Sequence, residues 1–280
     1  MADIETEAQI AYDQGFEMYE VREDYVIRDD RLWPQGKIKY EYAPMIHTEL
    51  PTEIAKLTRG DNNAVLRFAR RYGLLGYCYV LEVKDITRRV GWNQEEVGEP
   101  LNWIWGHAST INACLTLTSL LQAGDETALQ SYFYTFRGPV ASGLNGIVPD
   151  GFGTLLGERG FSSFPGLGIT ENVKWFRRQT VNDNIGPVTR TLCERDEKGE
   201  KSYYNVKGTV RAAYWHLATL IEAGKYRLVR CKDPECQAWF AQRDPRQRFC
   251  PAQVGMKESR CSARYRMRAR RADQREQREA

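Results

Sequence analysis

The sequence predicts a mainly α-helical (α+β) chain: a helical N-terminal domain, then a small cysteine-rich finger that ends in a basic helix. Three observations carry this expectation. Apolar residues recur at helical spacing in several segments of residues 1–224, four of the seven cysteines crowd between residues 231 and 261, and residues 261–280 contain neither glycine nor proline. A chain of 280 residues is long enough for a medium domain plus a small one.

Residues 1–50 are polar and aromatic without clear periodicity, which fits irregular chain or short strands. A first helix is predicted over residues 61–72. Asp61 or Asn62 caps it, Val65, Leu66, Phe68, Ala69 and Tyr72 line one side, and Gly73 stops it. A second opens near Pro100 and runs through Trp103, Ile104, His107, Ile111, Cys114 and Leu115 to Leu121, before Gly124. Asp125 has the position of a cap for a third helix carrying Leu129, Tyr132, Phe133 and Phe136.

Eight glycines between Gly143 and Gly168 mark a loop. Gly166-Leu167-Gly168 lacks the third glycine and the preceding strand of a dinucleotide fingerprint, and no GK[ST] follows; this argues against a phosphate cradle. Residues 188–194 and 202–206 alternate around Asp196-Glu197-Lys198-Gly199 and predict a hairpin. A last body helix over residues 207–223 has the apolar face Val210, Ala213, Tyr214, Leu217, Leu220 and Ile221, and Gly224 ends it. The expected division is therefore 1–224 for the helical domain, 225–272 for the finger with its basic helix, and 273–280 for a charged tail.

The net charge of +3 conceals an asymmetry. Residues 225–280 hold 16 Lys/Arg against 7 Asp/Glu, a balance of +9, which leaves 24 against 30 before them, a balance of −6. A basic end on a mildly acidic body points to a polyanionic partner. No apolar run reaches the roughly 18 residues of a membrane helix, and the acidic start MADIETEAQI lacks the features of a secretory signal. A cytoplasmic protein with reduced thiols is the expectation, with no membrane partner.

Cys78 and Cys114 sit among apolar neighbours and read as small core residues, while Cys193 lies in a polar stretch with no base beside it. Cys231, Cys236, Cys250 and Cys261 are different. Their spacing, C-x4-C, thirteen residues, then C-x10-C, brings paired thiolates together over short loops, as one structural zinc ion requires. Lys-Asp-Pro-Glu makes a turn between the first two, and residues 237–242 and 247–249 read as a small hairpin across Arg243-Asp244-Pro245-Arg246. A unit this small needs a metal to fold well.

After Cys261, Arg264, Arg268, Arg271, Arg275 and Arg278 fall along one face of the predicted helix, and Arg266 and Arg270 widen it. With Arg260 just before the cysteine, the candidate nucleic-acid contacts are Arg260, Arg264, Arg266, Arg268, Arg270, Arg271 and Arg275.

Residues 227–271 resemble the CGNR zinc finger found at the C-terminus of many bacterial proteins regarded as transcription regulators. The resemblance is carried by Arg227-Leu228-Val229-Arg230-Cys231, Asp233-Pro234-Glu235-Cys236, Trp239-Phe240, Arg248-Phe249-Cys250 and a final cysteine opening an Arg-rich helix. It departs from the family at Cys261-Ser262-Ala263-Arg264, which keeps only the ends of Cys-Gly-Asn-Arg, and in the lengthened stretch 254–260. The resemblance implies a treble-clef-like or knuckle finger and an N-terminal domain of the ABATE type, which senses stress or a ligand. It also implies DNA, in preference to RNA, as the partner of a regulator. A homodimer is what reading a palindrome would require, and a small molecule held near Trp103, Trp105 and Trp215 is a further expectation for the body.

The rival readings are a protein-interaction module, favoured if Trp239 or Phe240 is exposed, and a zinc nuclease. The nuclease needs histidines near the metal and an open coordination position. His47, His107 and His216 all lie outside the cysteine segment, and no HExxH or nucleophile elbow is present. The expectation is a non-enzyme, with His107 and His216 as satisfied core residues.

Overall fold

The computed structural model describes residues 16–77, 98–143, 146–148, 151, 168–186, 188–192, 202–222, 227–252 and 258–279. The expectations for Cys78, Cys193 and most of the glycine-rich loop lie outside them. Among the described residues are seven α-helices and a set of short antiparallel strands, so the chain is mixed α+β with helices dominant. No described helix is long and apolar enough to cross a membrane.

The N-terminal region is more regular than its composition suggests. Strands β1 (Tyr19–Arg28) and β2 (Arg31–Tyr42) form a long hairpin closed by Asp29 and Asp30, both with positive φ (52° and 54°). Two left-handed residues in a two-residue loop match the right-handed twist of the flanking strands. Register shifts around Arg22 break the alternation, yet Tyr19, Val21 and Tyr25 still turn inward.

Helices α1 (Leu50–Ile54) and α2 (Asn62–Tyr72) follow. Asp61 caps α2 by accepting from the Ala64 amide at 2.9 Å, and Gly73 ends it at φ 69°, as the sequence predicts. Two-residue strand β3 (Glu99–Pro100) pairs with β2 and leads into α3 (Leu101–Ala123). This 23-residue helix is buried on nearly all sides and forms the axis of the body. Gly124 terminates it in the left-handed conformation, and Asp125 caps α4 (Glu126–Thr135) through the Ala128 amide.

Short strands β4 (Val140–Ala141) and β5 (Ile147–Val148) pair next. Helix α5 (Ile169–Ile185) is an element the sequence reading lacks. Its inward positions are Val173, Phe176, Thr180, Val181 and Asn184; two polar members among five interrupt the apolar stripe that signals a helix. The hairpin of β6 (Val188–Leu192) and β7 (Ser202–Val206) agrees with expectation, as does α6 (Thr209–Glu222).

Two contiguous cores form in the body among the described residues, beside a small one at the cysteines. One joins the hairpin, α2, α3 and α6; the other lies among α3, α4 and α5, around Leu117, Phe133 and Phe176. Tyr42 pairs with Thr209 at 2.7 Å, and Tyr19 accepts from the Gly208 amide, so the hairpin is tied to the start of α6. Buried Glu99 accepts from the amides of Leu75, Gly76 and Tyr77, joining the segment after α2 to the start of α3. Burial pushes its carboxyl up to about 6, against the pull of those three N–H groups.

In the finger, strands β8 (Arg227–Arg230) and β9 (Trp239–Gln242) pair with each other, Val229 opposite Phe240. Residues 247–249 thus form no strand beside 237–242, where the sequence predicts a hairpin. Asp244 makes a turn, accepting from the Gln247 and Arg246 amides, and Arg248 instead accepts from the Lys232 amide within the C-x4-C loop. Helix α7 (Arg260–Glu279) closes the chain and continues without a break across residue 273.

Candidate metal centre and arginine helix

Local backbone geometry brings the four cysteines of the finger together. Cys231 directly follows β8, and its amide donates to the Ala238 carbonyl at 2.9 Å. The Cys236 and Gln237 amides both fold back on the Asp233 carbonyl, at 2.9 and 3.0 Å, and Gln237 takes a positive φ of 44°. This tight loop turns Cys231 and Cys236 toward the same point. Cys261 arrives from the first turn of α7, where Ser259 caps the helix by accepting from the Ser262 amide at 3.1 Å. Cys250 follows the turn after β9.

The four sulfurs lie within 4.8 Å of one another, and those of Cys236 and Cys250 are 3.6 Å apart. Tetrahedral zinc thiolate bonds of about 2.3 Å separate neighbouring sulfurs by about 3.8 Å, so the cluster fits such an ion with small adjustment. Cys231 and Cys261 are buried, Cys236 and Cys250 half-buried, and Phe240, Val229 and Phe249 pack around them.

The electrostatics also suit a cation. Burial and the negative neighbours push the Cys261 thiol up to about 12 and the Cys250 thiol higher still. Burial opposes ionisation of Cys236 as well, but the Ala238 amide and the surrounding thiols bring its pKa below the ordinary value. Four thiolates this close need a positive charge among them to be ionised together. The cluster could hold a metal ion, and all four positions of a tetrahedron would be filled by protein sulfur.

The helix beyond Cys261 is oriented by Asp233 and Glu235, which the sequence alone presents only as part of a turn. Asp233, inside the C-x4-C loop, has a side chain with no exposed surface. Its Oδ2 accepts from Nε and Nη2 of Arg264 at 2.9 and 2.6 Å, and its Oδ1 from Nη1 of Arg268 at 2.8 Å. Glu235 adds a 2.5 Å ion pair with Arg268. Desolvation opposes the charge on Asp233, but the two guanidinium groups hold its carboxyl below the usual carboxylate range.

Arg264 and Arg268 thus turn toward the finger, not outward with the rest of the proposed cationic face. The reason is periodicity. Arg264 lies three residues and Arg268 seven after Cys261, so a cysteine pointing into the cluster carries that face of α7 over the knuckle. A signal for Asp233 and Glu235 exists in the sequence: they are two of the few acidic residues in a strongly basic segment.

The other candidate arginines are disposed differently. Arg266 pairs with Glu258 at 2.6 Å, and Glu258 also accepts from the Ser262 hydroxyl. Arg260, Arg270 and Arg271 are exposed and make no hydrogen bond or ion pair with a described residue. Arg275 lies on α7, but its side chain is outside the described residues. Met267 and Tyr265 stand among the arginines, 54% and 46% exposed, and Tyr265 rests against Phe249.

Trp239 and Phe240 are both buried, but in different places. Phe240 packs on the cysteine cluster, whereas Trp239 joins the main core of the body. Asn112 Oδ1, on α3, accepts from Trp239 Nε1 at 3.0 Å and from Arg230 Nη2 at 2.7 Å, and Arg230 stacks over the Trp239 ring. Gln122 accepts from the Leu228 amide at 2.8 Å.

The histidines and remaining tryptophans lie elsewhere in the body. His216 makes a 3.2 Å contact with the Pro44 carbonyl, and His47 a 3.1 Å pair with Glu49. His107 is fully buried and meets Tyr214 at 3.1 Å; its Nε2 has no partner among the described residues, and burial lowers its pKa to about 3. It is a neutral core residue, as expected, but only one of its ring nitrogens is satisfied among the described residues. Trp103 packs on Tyr77 and His107, while Trp215 packs on Tyr204. Comparisons of the chain with protein-family models, curated proteins and solved structures find no match.

Proposed function

We propose that this chain is a nucleic-acid-binding protein, a DNA-binding transcription regulator of the CGNR-like kind, whose four-cysteine site holds one structural zinc ion. The observation that carries the reading is the junction at Cys261. The residue that completes the cluster also opens a 20-residue helix studded with arginine. Four sulfur ligands leave no open position for substrate or activated water, which favours a structural ion over a catalytic one. Thiolate ligands in a tetrahedral set favour zinc over harder cations. A knuckle hairpin followed by a helix carrying the last ligand supports a treble-clef-like description.

The contact surface in this reading is formed by Arg260, Arg270 and Arg271, whose guanidinium groups are free of acidic partners among the described residues, with Arg266 at its margin. Arg264 and Arg268 aim the helix. The exposed Met267 and Tyr265 suit contacts with sugar or base edges. They equally suit a protein partner, which is the second reading.

The deciding experiment is binding of duplex DNA and single-stranded RNA to full-length protein of verified zinc content, over a range of salt. Affinity should fall steeply with salt, by about 0.9 in log–log slope per phosphate contact for B-DNA. One zinc per chain without binding to either polymer would leave the finger as a protein-interaction module.

A further inference from the structure

A groove of about 340 Å³ lies between α5 and the last turns of α6, away from the cysteine cluster. Arg177, Arg178 and Lys174 line one side, and Val181, Ala218 and Ile221 supply apolar surface. Lys174 is paired with Glu171 at 2.6 Å. Among the described residues the two arginines have no ion pair. Arg177 is half-buried and donates one hydrogen bond, from Nη1 to the Thr118 hydroxyl at 3.0 Å; that hydroxyl itself donates to the Cys114 carbonyl. Neither Arg177 nor Arg178 meets a carboxylate among the described residues.

A guanidinium has five N–H donors. Holding one half-buried beside a second cation, with a single neutral acceptor, costs free energy that an anion in the groove would recover. Burial accordingly weakens the hold of Arg177 on its proton, and Arg178 adds to the effect. The volume is within the roughly 300–1,000 Å³ of small-molecule sites, which combine apolar walls with a few polar groups.

We propose that this groove binds a small organic anion, its carboxylate or phosphate head held by Arg177 and Arg178 and its apolar part lying on Val181, Ala218 and Ile221. Guanidinium groups recognise either head through paired N–H donors. Glu222 at the rim works against a bare, multiply charged ion, so inorganic phosphate should be the weaker ligand. The inference is independent of the nucleic-acid reading, because no residue of α7 takes part.

Isothermal titration of the full, zinc-loaded chain with hexanoate, phenyl phosphate and inorganic phosphate tests it. One site per chain for hexanoate or phenyl phosphate is expected, and whichever binds names the head group. Arg178→Gln, at an exposed position, should weaken that binding about tenfold or more, the usual scale for a lost charge-assisted hydrogen bond. Ala218→Phe should abolish it by filling the groove while the circular dichroism stays native, and neither change should alter nucleic-acid affinity. The proposal is overturned if none of the probes binds at about 10 mM, a concentration that detects even millimolar sites. It is equally overturned if both variants bind like the parent chain, or if inorganic phosphate binds as tightly as the organic anions.

Discussion

Asp233 carries more of the finger's organisation than its place in a turn suggests. It is an acid inside a basic segment, so simple charge counting says that Asp233→Asn should strengthen binding to a polyanion. Its geometry says the reverse. Without the carboxylate, Arg264 and Arg268 lose the anchor that sets α7 against the knuckle. The expected outcome is a melting temperature lower by several degrees, on the order of 2–4 °C per kcal/mol lost for a chain of this size, together with weaker DNA binding. Tighter binding with an unchanged melting temperature would remove Asp233 from that role.

Glu99 makes a separate prediction in the body. Its folded pKa of about 6 lies above the ordinary 4.5, so its contribution to stability is full below 4.5 and is lost as pH rises through 6. The difference corresponds to about 2 kcal/mol at most. Melting curves from pH 4.5 to 7 should therefore fall more steeply for the parent chain than for Glu99→Gln, which cannot titrate; parallel curves would sink the idea.

Element by element, what the sequence reveals depends on whether one local signal suffices. The helices α2, α3 and α4 are legible because Asp61 and Asp125 cap, Gly73 and Gly124 stop, and apolar residues repeat between them. Helix α5 is hidden because Thr180 and Asn184 occupy inward positions that would normally be apolar. The β1–β2 hairpin is hidden because its alternation breaks at the register shifts around Arg22 and its turn is Asp-Asp, without the glycine that usually marks such loops. The cysteine cluster is readable from spacing alone, whereas the inward turn of Arg264 and Arg268 depends on which way Cys261 faces.

For α7 as an element, two sets of charge reversals test the proposed DNA binding apart from structural support. Arg260→Glu with Arg270→Glu and Arg271→Glu should weaken DNA binding strongly and flatten the salt slope by about 0.9 for each phosphate no longer neutralised, with the melting temperature little changed. Arg264→Glu with Arg268→Glu should instead lower the melting temperature, because two new carboxylates would face buried Asp233. If the first set leaves both affinity and slope intact, the exposed side of α7 is not the nucleic-acid surface.

At the scale of the whole molecule, finger and body share a core. Leu228 and Trp239 belong to the same buried cluster as Tyr72, Ile111 and Tyr214, and Asn112 Oδ1 accepts from both Arg230 and Trp239. Metal removal should therefore be felt far from the cysteines. Zinc binding contributes roughly 10–16 kcal/mol in small zinc peptides, and a chelator should lower the melting temperature reported by tryptophans of the body as well as by the finger. Asn112→Ala should weaken this coupling at a cost of about 1–3 kcal/mol, since it leaves two donors without their acceptor. Body melting that ignores the chelator would show that the shared core transmits nothing.

The placement of Trp239 bears on how this chain is to be dissected. A fragment starting at residue 225, where composition and charge invite a cut, would carry Trp239 and Leu228 into water as a raw apolar face. Such a piece should stick to itself even when fully metallated, and its stickiness would mimic dimerisation. The wound left on the body along α3 would be just as adhesive, so neither half is a fair witness for the intact protein.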